Sequence, residues 1–214
     1  MKIFFDFDGT LIDSRERLYR LFQFLVRQSR LSFDEYWELK RNGINHKNIL
    51  TGFFGYADEQ WIKFDQEWMS KIETKEWLNF DRPFAGIKDY LLQLKTFHQL
   101  YLVTSRQFDD SVLFQLSAFG WNGIFDKVFV SHQTGNKAEL IRKVMNTDNN
   151  DWMIGDTGKD IECGKALGVR TAAVLSGFTN RQNFSKYNPD IILNNVLDFH
   201  VEQHSHITRD ELAC

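Results

Sequence analysis

Ile3-Phe4-Phe5-Asp6-Phe7-Asp8-Gly9-Thr10 is the stretch on which the reading of the chain turns. A short apolar run of strand type ends abruptly in two acids and a glycine. Two residues of strand advance only roughly 7 Å, so Asp6 and Asp8 can face one small ligand once the chain turns, and Gly9 permits that turn. Open α/β sheets bind ligands at the carboxyl ends of their strands. A second apolar run, Trp152-Met153-Ile154, delivers Gly155-Asp156-Thr157-Gly158-Lys159-Asp160 at a corresponding strand end. Asp is common as a turn cap, which would explain one such cluster. Two clusters, each following an apolar strand, call for convergence instead. Four carboxylates at one spot repel unless protonation or a cation relieves them. A hard divalent ion with oxygen ligands does so economically, and magnesium keeps positions for water and a substrate phosphate.

Working outward, Leu100–Val103, Val128–Val130, Ala172–Leu175 and Ile191–Leu193 are further strand candidates, with amphipathic stretches such as Ile87, Tyr90, Leu91 and Leu94 between them. That alternation predicts an α/β fold with a parallel sheet. Residues 13–81 break it with successive helical patterns and no convincing strand. Leu18, Leu21, Phe22, Leu25 and Val26 form one stripe, opened by Asp13 and Glu16 in the manner of a capping box; Ser32 and Glu35 repeat the signal. The expected organisation is a core of residues 1–12 and 82–200, a helical insertion at 13–81 and a polar tail at 201–214.

The chain has 214 residues and a formal net charge of -3, which gives no electrostatic case for nucleic acid or an anionic membrane as partner. No stretch is long enough to span a bilayer, and the N-terminus lacks signal-peptide character. Two distant cysteines, Cys163 and Cys214, suit a reducing cytoplasm. Arg209–Leu212 resembles a retention signal but is followed by two more residues, so it carries no weight.

Thr104-Ser105 follows the Leu100–Val103 run, where a hydroxyl and backbone N–H groups can hold phosphate oxygens. Lys137 follows the Val128–Val130 run near a helix start that Asn136 and Glu139 can cap, and its charge can neutralise a transferring phosphoryl group. Alone, Thr104 reads as a turn residue and Lys137 as a solvated lysine. Their order along the chain changes that.

Asp6-Phe7-Asp8-Gly9-Thr10-Leu11-Ile12-Asp13, Thr104, Lys137 and Gly155-Asp156-x-x-x-Asp160 together resemble the four motifs of the haloacid dehalogenase superfamily. The resemblance runs from Ile3 to about Leu193, and is strongest to phosphoglycolate-phosphatase-like and phosphomutase-like members with a small helical cap. It implies a Rossmann-like core with an inserted all-helical cap subdomain. It further implies that Asp6 attacks phosphorus, that Asp8 acts as acid and then base, and that Thr104 and Lys137 hold the phosphoryl group. Asp6, Asp156 and the main-chain carbonyl of Asp8 would bind magnesium, with Asp160 supporting the shell. An acid at position 8 disfavours carbon–halogen cleavage. The chain departs from phosphoglycolate phosphatases after Lys137, where Ala138-Glu139 stands in place of a proline-containing stretch.

Gly9, Thr10, Ser105 and Arg106 adjoin these motifs and are candidates for substrate contact. Arg41, His46 and Lys47 lie in the donor-rich loop after the second cap helix, where a specificity loop would fall; the alternative there is a basic helix end capped by Gly43. The cap aromatics, among them Trp37, Trp61, Phe64 and Trp68, fit the core of a small bundle better than stacking on a nucleobase. His200, His204 and His206 read as a solvated tail rather than a metal site. The expected activity is a magnesium-dependent phosphatase acting on a small phosphorylated metabolite. Its rivals are a phosphomutase with the same nucleophile and a non-catalytic phosphate- or magnesium-binding regulator. Substrate identity and oligomeric state are not legible.

Overall fold

The computed structural model describes residues 1–133 and 136–201. Cys214, His204, His206 and most of the expected polar tail lie outside them. The main sheet consists of β1 (Lys2–Phe5), β4 (Gln99–Thr104), β5 (Lys127–Val130), β6 (Trp152–Gly155), β7 (Arg170–Val174) and β8 (Ile191–Leu193). The order is β5-β4-β1-β6-β7-β8, and every pair is parallel. This is the α/β parallel-sheet architecture expected from the sequence. Strand side chains alternate between two faces, and each face has its own core. Ile3, Phe5, Leu100, Leu102 and Ile154 pack with Ile87, Leu91, Val112 and Leu116 of α6 (Ile87–Lys95) and α7 (Asp109–Ala118). Phe4, Tyr101, Val103 and Met153 pack on the other side with α8 (Lys137–Arg142) and α9 (Gly158–Leu167). Both faces are covered, which is why these strands read as unbroken apolar runs.

Between β1 and β4 lie α1 (Arg15–Leu25), α2 (Phe33–Arg41), α3 (His46–Phe54), α4 (Asp58–Lys71) and α5 (Lys75–Leu78). They share a separate apolar cluster built on Leu21, Phe22, Tyr36, Ile49, Leu50 and Trp68. A two-residue antiparallel ladder, β2 (Ile12–Asp13) with β3 (Arg82–Pro83), closes the insertion where it leaves and rejoins the sheet. Helix α2 starts with the expected capping box of Ser32 and Glu35. Helix α1 does not start with one at Asp13: its N-cap is Ser14, without a side-chain cap bond. Asp13 instead accepts from the Arg15 side chain at 2.6 and 2.8 Å and from Arg15 N at 3.0 Å. No helix among the described residues is long and apolar enough to cross a membrane.

Candidate active site

Strand register brings the acidic clusters together. Phe5 of β1 is level with Ile154 of β6, and Asp6 N donates to Ile154 O at 2.9 Å, so Asp6 and Asp156 emerge side by side at the carboxyl edge. One turn into α9, Asp160 folds back over the same edge, where its Oδ2 accepts from Thr157 N and Thr157 Oγ1 at 3.1 and 2.6 Å. Carboxylate oxygens of Asp6, Asp156 and Asp160 lie within 4.8 Å of one another, and all three residues are buried. Burial pushes the Asp6 carboxyl up to about 7 against the pull of Lys137, and pushes Asp156 well above the usual carboxylate range, with Asp6 and Asp160 adding repulsion.

Lys137 opens α8 behind the N-cap Asn136, whose side chain accepts from Ala138 N at 2.9 Å. Its Nζ donates to Asp6 Oδ1 and Asp160 Oδ1, each at 2.6 Å. Burial disfavours the ammonium, but the Asp160 and Asp6 carboxylates outweigh it and keep the lysine charged. Asp156 is held differently. Its Oδ2 accepts from Phe178 N at 2.7 Å, while its Oδ1 is buried and has no hydrogen-bond partner among the described residues. A buried carboxylate oxygen without a donor, beside two more acids, fits a hard divalent cation and not an apolar site. The backbone is cut to match: a Cβ at either Gly9 or Gly177 would run into the Asp156 carboxylate. Gly9 also has φ +80, which a side chain rarely adopts.

Asp8 points toward a different set of partners. Arg106 grips it with two parallel bonds, Nε to Oδ2 at 2.6 Å and Nη2 to Oδ1 at 2.8 Å, and Arg17 Nη2 also donates to Oδ1. Burial works against the Asp8 carboxylate, but the two guanidinium groups more than offset it and hold it well below the usual range. Both arginines also pair with Asp81, at 3.0 Å from Arg17 Nε and 3.2 Å from Arg106 Nη2.

These groups line a cavity of about 290 Å³ between the sheet edge and the inserted helices. Its walls include Asp6, Asp8, Thr104, Ser105, Arg106, Lys137 and Asp156. Thr104 is buried there, while Ser105 is exposed. Gly9 and Thr10 form the turn behind Asp8, with Gly9 N bonded to Ile12 O at 2.8 Å, and are not walls of the cavity. Arg41, His46 and Lys47 are not walls of it either. His46 is packed inside the helical insertion against Trp68, 4.2 Å between ring centroids, with its Nε2 2.8 Å from Tyr36 Oη. Burial and nearby Lys40 hold its imidazole well below its ordinary titration range. Lys47 pairs with Asp58 at the surface, and Arg41 lines a separate cleft with Trp37 and Leu197.

Among the wall or supporting residues not singled out from the sequence are Arg17, Glu73, Asp81, Ser14 and Phe178, and Trp68 as a wall rather than core. Arg17 had a legible signal. It stands one turn before Leu21 on the apolar face of α1, where a charge is costly unless paired.

A family model described as haloacid dehalogenase-like hydrolase matches residues 3–174. Among curated proteins, the chain is 25% identical to pyrophosphatase PpaX of Oceanobacillus iheyensis, with 92% of this chain and 93% of the relative covered. It is also 25% identical to a phosphoglycolate phosphatase of Aquifex aeolicus, with 96% and 97% covered. Among solved structures, a haloacid dehalogenase-like family hydrolase of Streptococcus pneumoniae matches with a TM-score of 0.73 at 22% identity, over 92% of this chain and 94% of that one. At that identity the likeness is one of fold.

Proposed function

The chain belongs to the haloacid dehalogenase-like hydrolases, and from that membership we propose that it is a magnesium-dependent phosphatase that hydrolyses a small phosphorylated metabolite through an aspartyl-phosphate on Asp6. The observation that carries the reading is the meeting of Asp6, Asp156, Asp160 and Lys137 in the cavity edge that also presents Asp8 and Thr104. Relatives named as a pyrophosphatase and a phosphoglycolate phosphatase support the substrate class.

Asp6 attacks phosphorus, forming an O–P bond as the bond to the leaving oxygen breaks. Asp8 is ionised while the two arginines hold it; turned away from them toward the leaving oxygen, it would take up a proton from solvent, give it to that oxygen, and then take one from the water that hydrolyses the acyl phosphate. Thr104 and Lys137 orient the phosphoryl oxygens and balance their charge. Asp6, Asp156 and Asp160, with the main-chain carbonyl of Asp8, would hold magnesium, which when bound supplies positive charge to the phosphoryl oxygens. The inserted helices act as a cap over the site, lining it with Arg17, Leu18, Trp68 and Ile72. Buried Cys163, a free thiol, suits a reducing cytoplasm as the compartment.

The test is release of inorganic phosphate from phosphoglycolate, sugar phosphates, nucleotides and pyrophosphate, with magnesium or a chelator, by wild type and Asp6→Asn. Magnesium-dependent release that Asp6→Asn reduces to background is expected. Free phosphate released without a bisphosphate activator argues against a mutase, whereas isomerised sugar phosphate without free phosphate would replace the phosphatase by one; turnover unchanged in Asp6→Asn would remove Asp6 from the reaction.

A further inference from the structure

Two buried guanidinium groups meet at Asp8, and one of them comes from the inserted helices. Arg17 is 3% exposed and Arg106 is 5% exposed, yet both are cavity walls. Their second carboxylate, Asp81, is fully buried, is not a wall, and is fixed from behind by Gln115 Nε2 at 2.7 Å. Asp81 is therefore a standing counter-ion, while Asp8 is the partner that faces the cavity.

The other neighbouring acid is already committed. Glu73 accepts from Gln107 N at 2.7 Å, Phe108 N at 3.3 Å and Ser111 Oγ at 2.6 Å, so it is anchored to α7; its charge favours both guanidinium ions, but it makes no hydrogen bond to either. Arg17 Nη1 is taken by Ile72 O at 3.1 Å. Arg106 Nη1, by contrast, is buried and has no hydrogen-bond partner among the described residues. When Asp8 turns from these groups to a leaving oxygen, Asp81 and the charge of Glu73 remain, but Arg17 Nη2 and Arg106 Nε lose the carboxylate they donate to while Arg106 Nη1 is already without a partner. Buried charged donors left without an acceptor are strongly unfavourable.

Given the phosphatase reading, on which this rests, we propose that Arg17 and Arg106 form a second anion subsite. It receives a carboxylate or second phosphate on the leaving group, in the place that Asp8 otherwise holds. Preferred substrates are then small phosphate esters or anhydrides whose leaving group carries its own negative charge. The planar fork of each guanidinium suits either oxyanion. The cavity volume of about 290 Å³ and the apolar walls Leu18, Trp68 and Ile72 restrict the leaving group to a few heavy atoms. Arg17 is the specificity-determining member, because it sits on α1 and closes the subsite from the cap side.

Binding of non-hydrolysable phosphonates tests this apart from turnover. With magnesium in excess, 3-phosphonopropionate and ethylene-1,2-bisphosphonate are titrated by calorimetry against 3-hydroxypropylphosphonate, their neutral-tailed counterpart. We expect at least one charged-tail ligand to bind about 10- to 100-fold tighter, the span of one charge-assisted contact. The tighter of the two names the oxyanion. Arg17→Met should abolish that preference while Arg17→Lys keeps part of it. Equal binding of charged and neutral tails by wild type overturns the subsite, and needs no variant to fold. Equal loss for all three ligands in Arg17→Met, with Arg17→Lys no better, also overturns it by reducing Arg17 to a structural role. Phosphate release in the preceding assay together with equal tail binding would sink the subsite and leave the phosphatase standing.

Discussion

Lys137 Nζ lies 2.6 Å from Asp6 Oδ1, a bond between residues 131 positions apart that ties the start of α8 to the end of β1. The same ammonium serves Asp160, so one cation separates two buried carboxylates. Removing one partner of a buried ionic cluster costs about 3–5 kcal/mol, because the remaining charges stay desolvated. Lys137→Met should therefore lower the unfolding free energy measured in urea by that amount, with magnesium restoring part of it. Its phosphate release should fall by about two orders of magnitude or more, a loss of electrostatic stabilisation in the transition state.

The cut-away backbone around Asp156 makes a pair of glycine substitutions informative. Gly177→Ala adds only a methyl group that meets the Asp156 carboxylate, whereas Gly9→Ala adds the same collision and a side chain at φ +80. Both should raise the magnesium concentration needed for half-maximal activity by about 10- to 100-fold, as displaced ligand support generally does. Gly9→Ala should in addition lose about 1–2 kcal/mol of stability to its left-handed backbone. Unchanged magnesium dependence in both variants would show that Asp156 does not hold the ion.

Glu73 supplies what α7 lacks. The N-cap residue Phe108 has no side-chain cap of its own, and the Glu73 carboxylate, from the loop after α4, takes Gln107 N, Phe108 N and Ser111 Oγ instead. Glu73→Ala should cost about 2–3 kcal/mol in denaturant unfolding, the range for a charged acceptor serving several buried donors. A loss below 0.5 kcal/mol, on the order of an ordinary surface change, would contradict this contact between insertion and core.

Lys40 carries a pH-dependent penalty. Burial in the helical insertion pulls its ammonium from 10.5 down to about 8. Between those values the unfolded chain binds more protons than the folded one, so this residue makes stability rise with pH across that window. Below pH 8 the penalty is fully present. Lys40→Met should stabilise the protein by about 1–3 kcal/mol at pH 7, and the gain should vanish above pH 10.5. Thermal unfolding of both proteins from neutral to alkaline pH checks the sign.

The sheet was legible because β1, β4 and β6 are buried on both faces, so their sequences are short, unbroken apolar runs ended by polar clusters. The acidic motifs were legible because each stands at such an end. The β2–β3 ladder was not, since Ile12-Asp13 and Arg82-Pro83 are too short to show any period. The cap-loop candidates illustrate a second limit. His46, first residue of α3, turns into the aromatic cluster around Trp68, and nothing in its spacing distinguishes that from facing the cavity. Arg17 shows the reverse: the apolar stripe placed it on a buried face, but only the folded chain reveals Asp8 and Asp81 waiting there.

The ladder that escaped the sequence has a consequence for how such a protein can be altered. Ile12 pairs with Pro83 and Asp13 with Arg82, so the chain departs and returns through adjacent positions, about 5 Å apart as in any antiparallel pair. It works as a socket. A segment whose two ends stand side by side can be exchanged there while β1 keeps its register with β4 and β6. Such an exchange would leave Asp6, Asp156 and Asp160 on the sheet edge but would remove Arg17 and Asp81, and with them part of what holds Asp8.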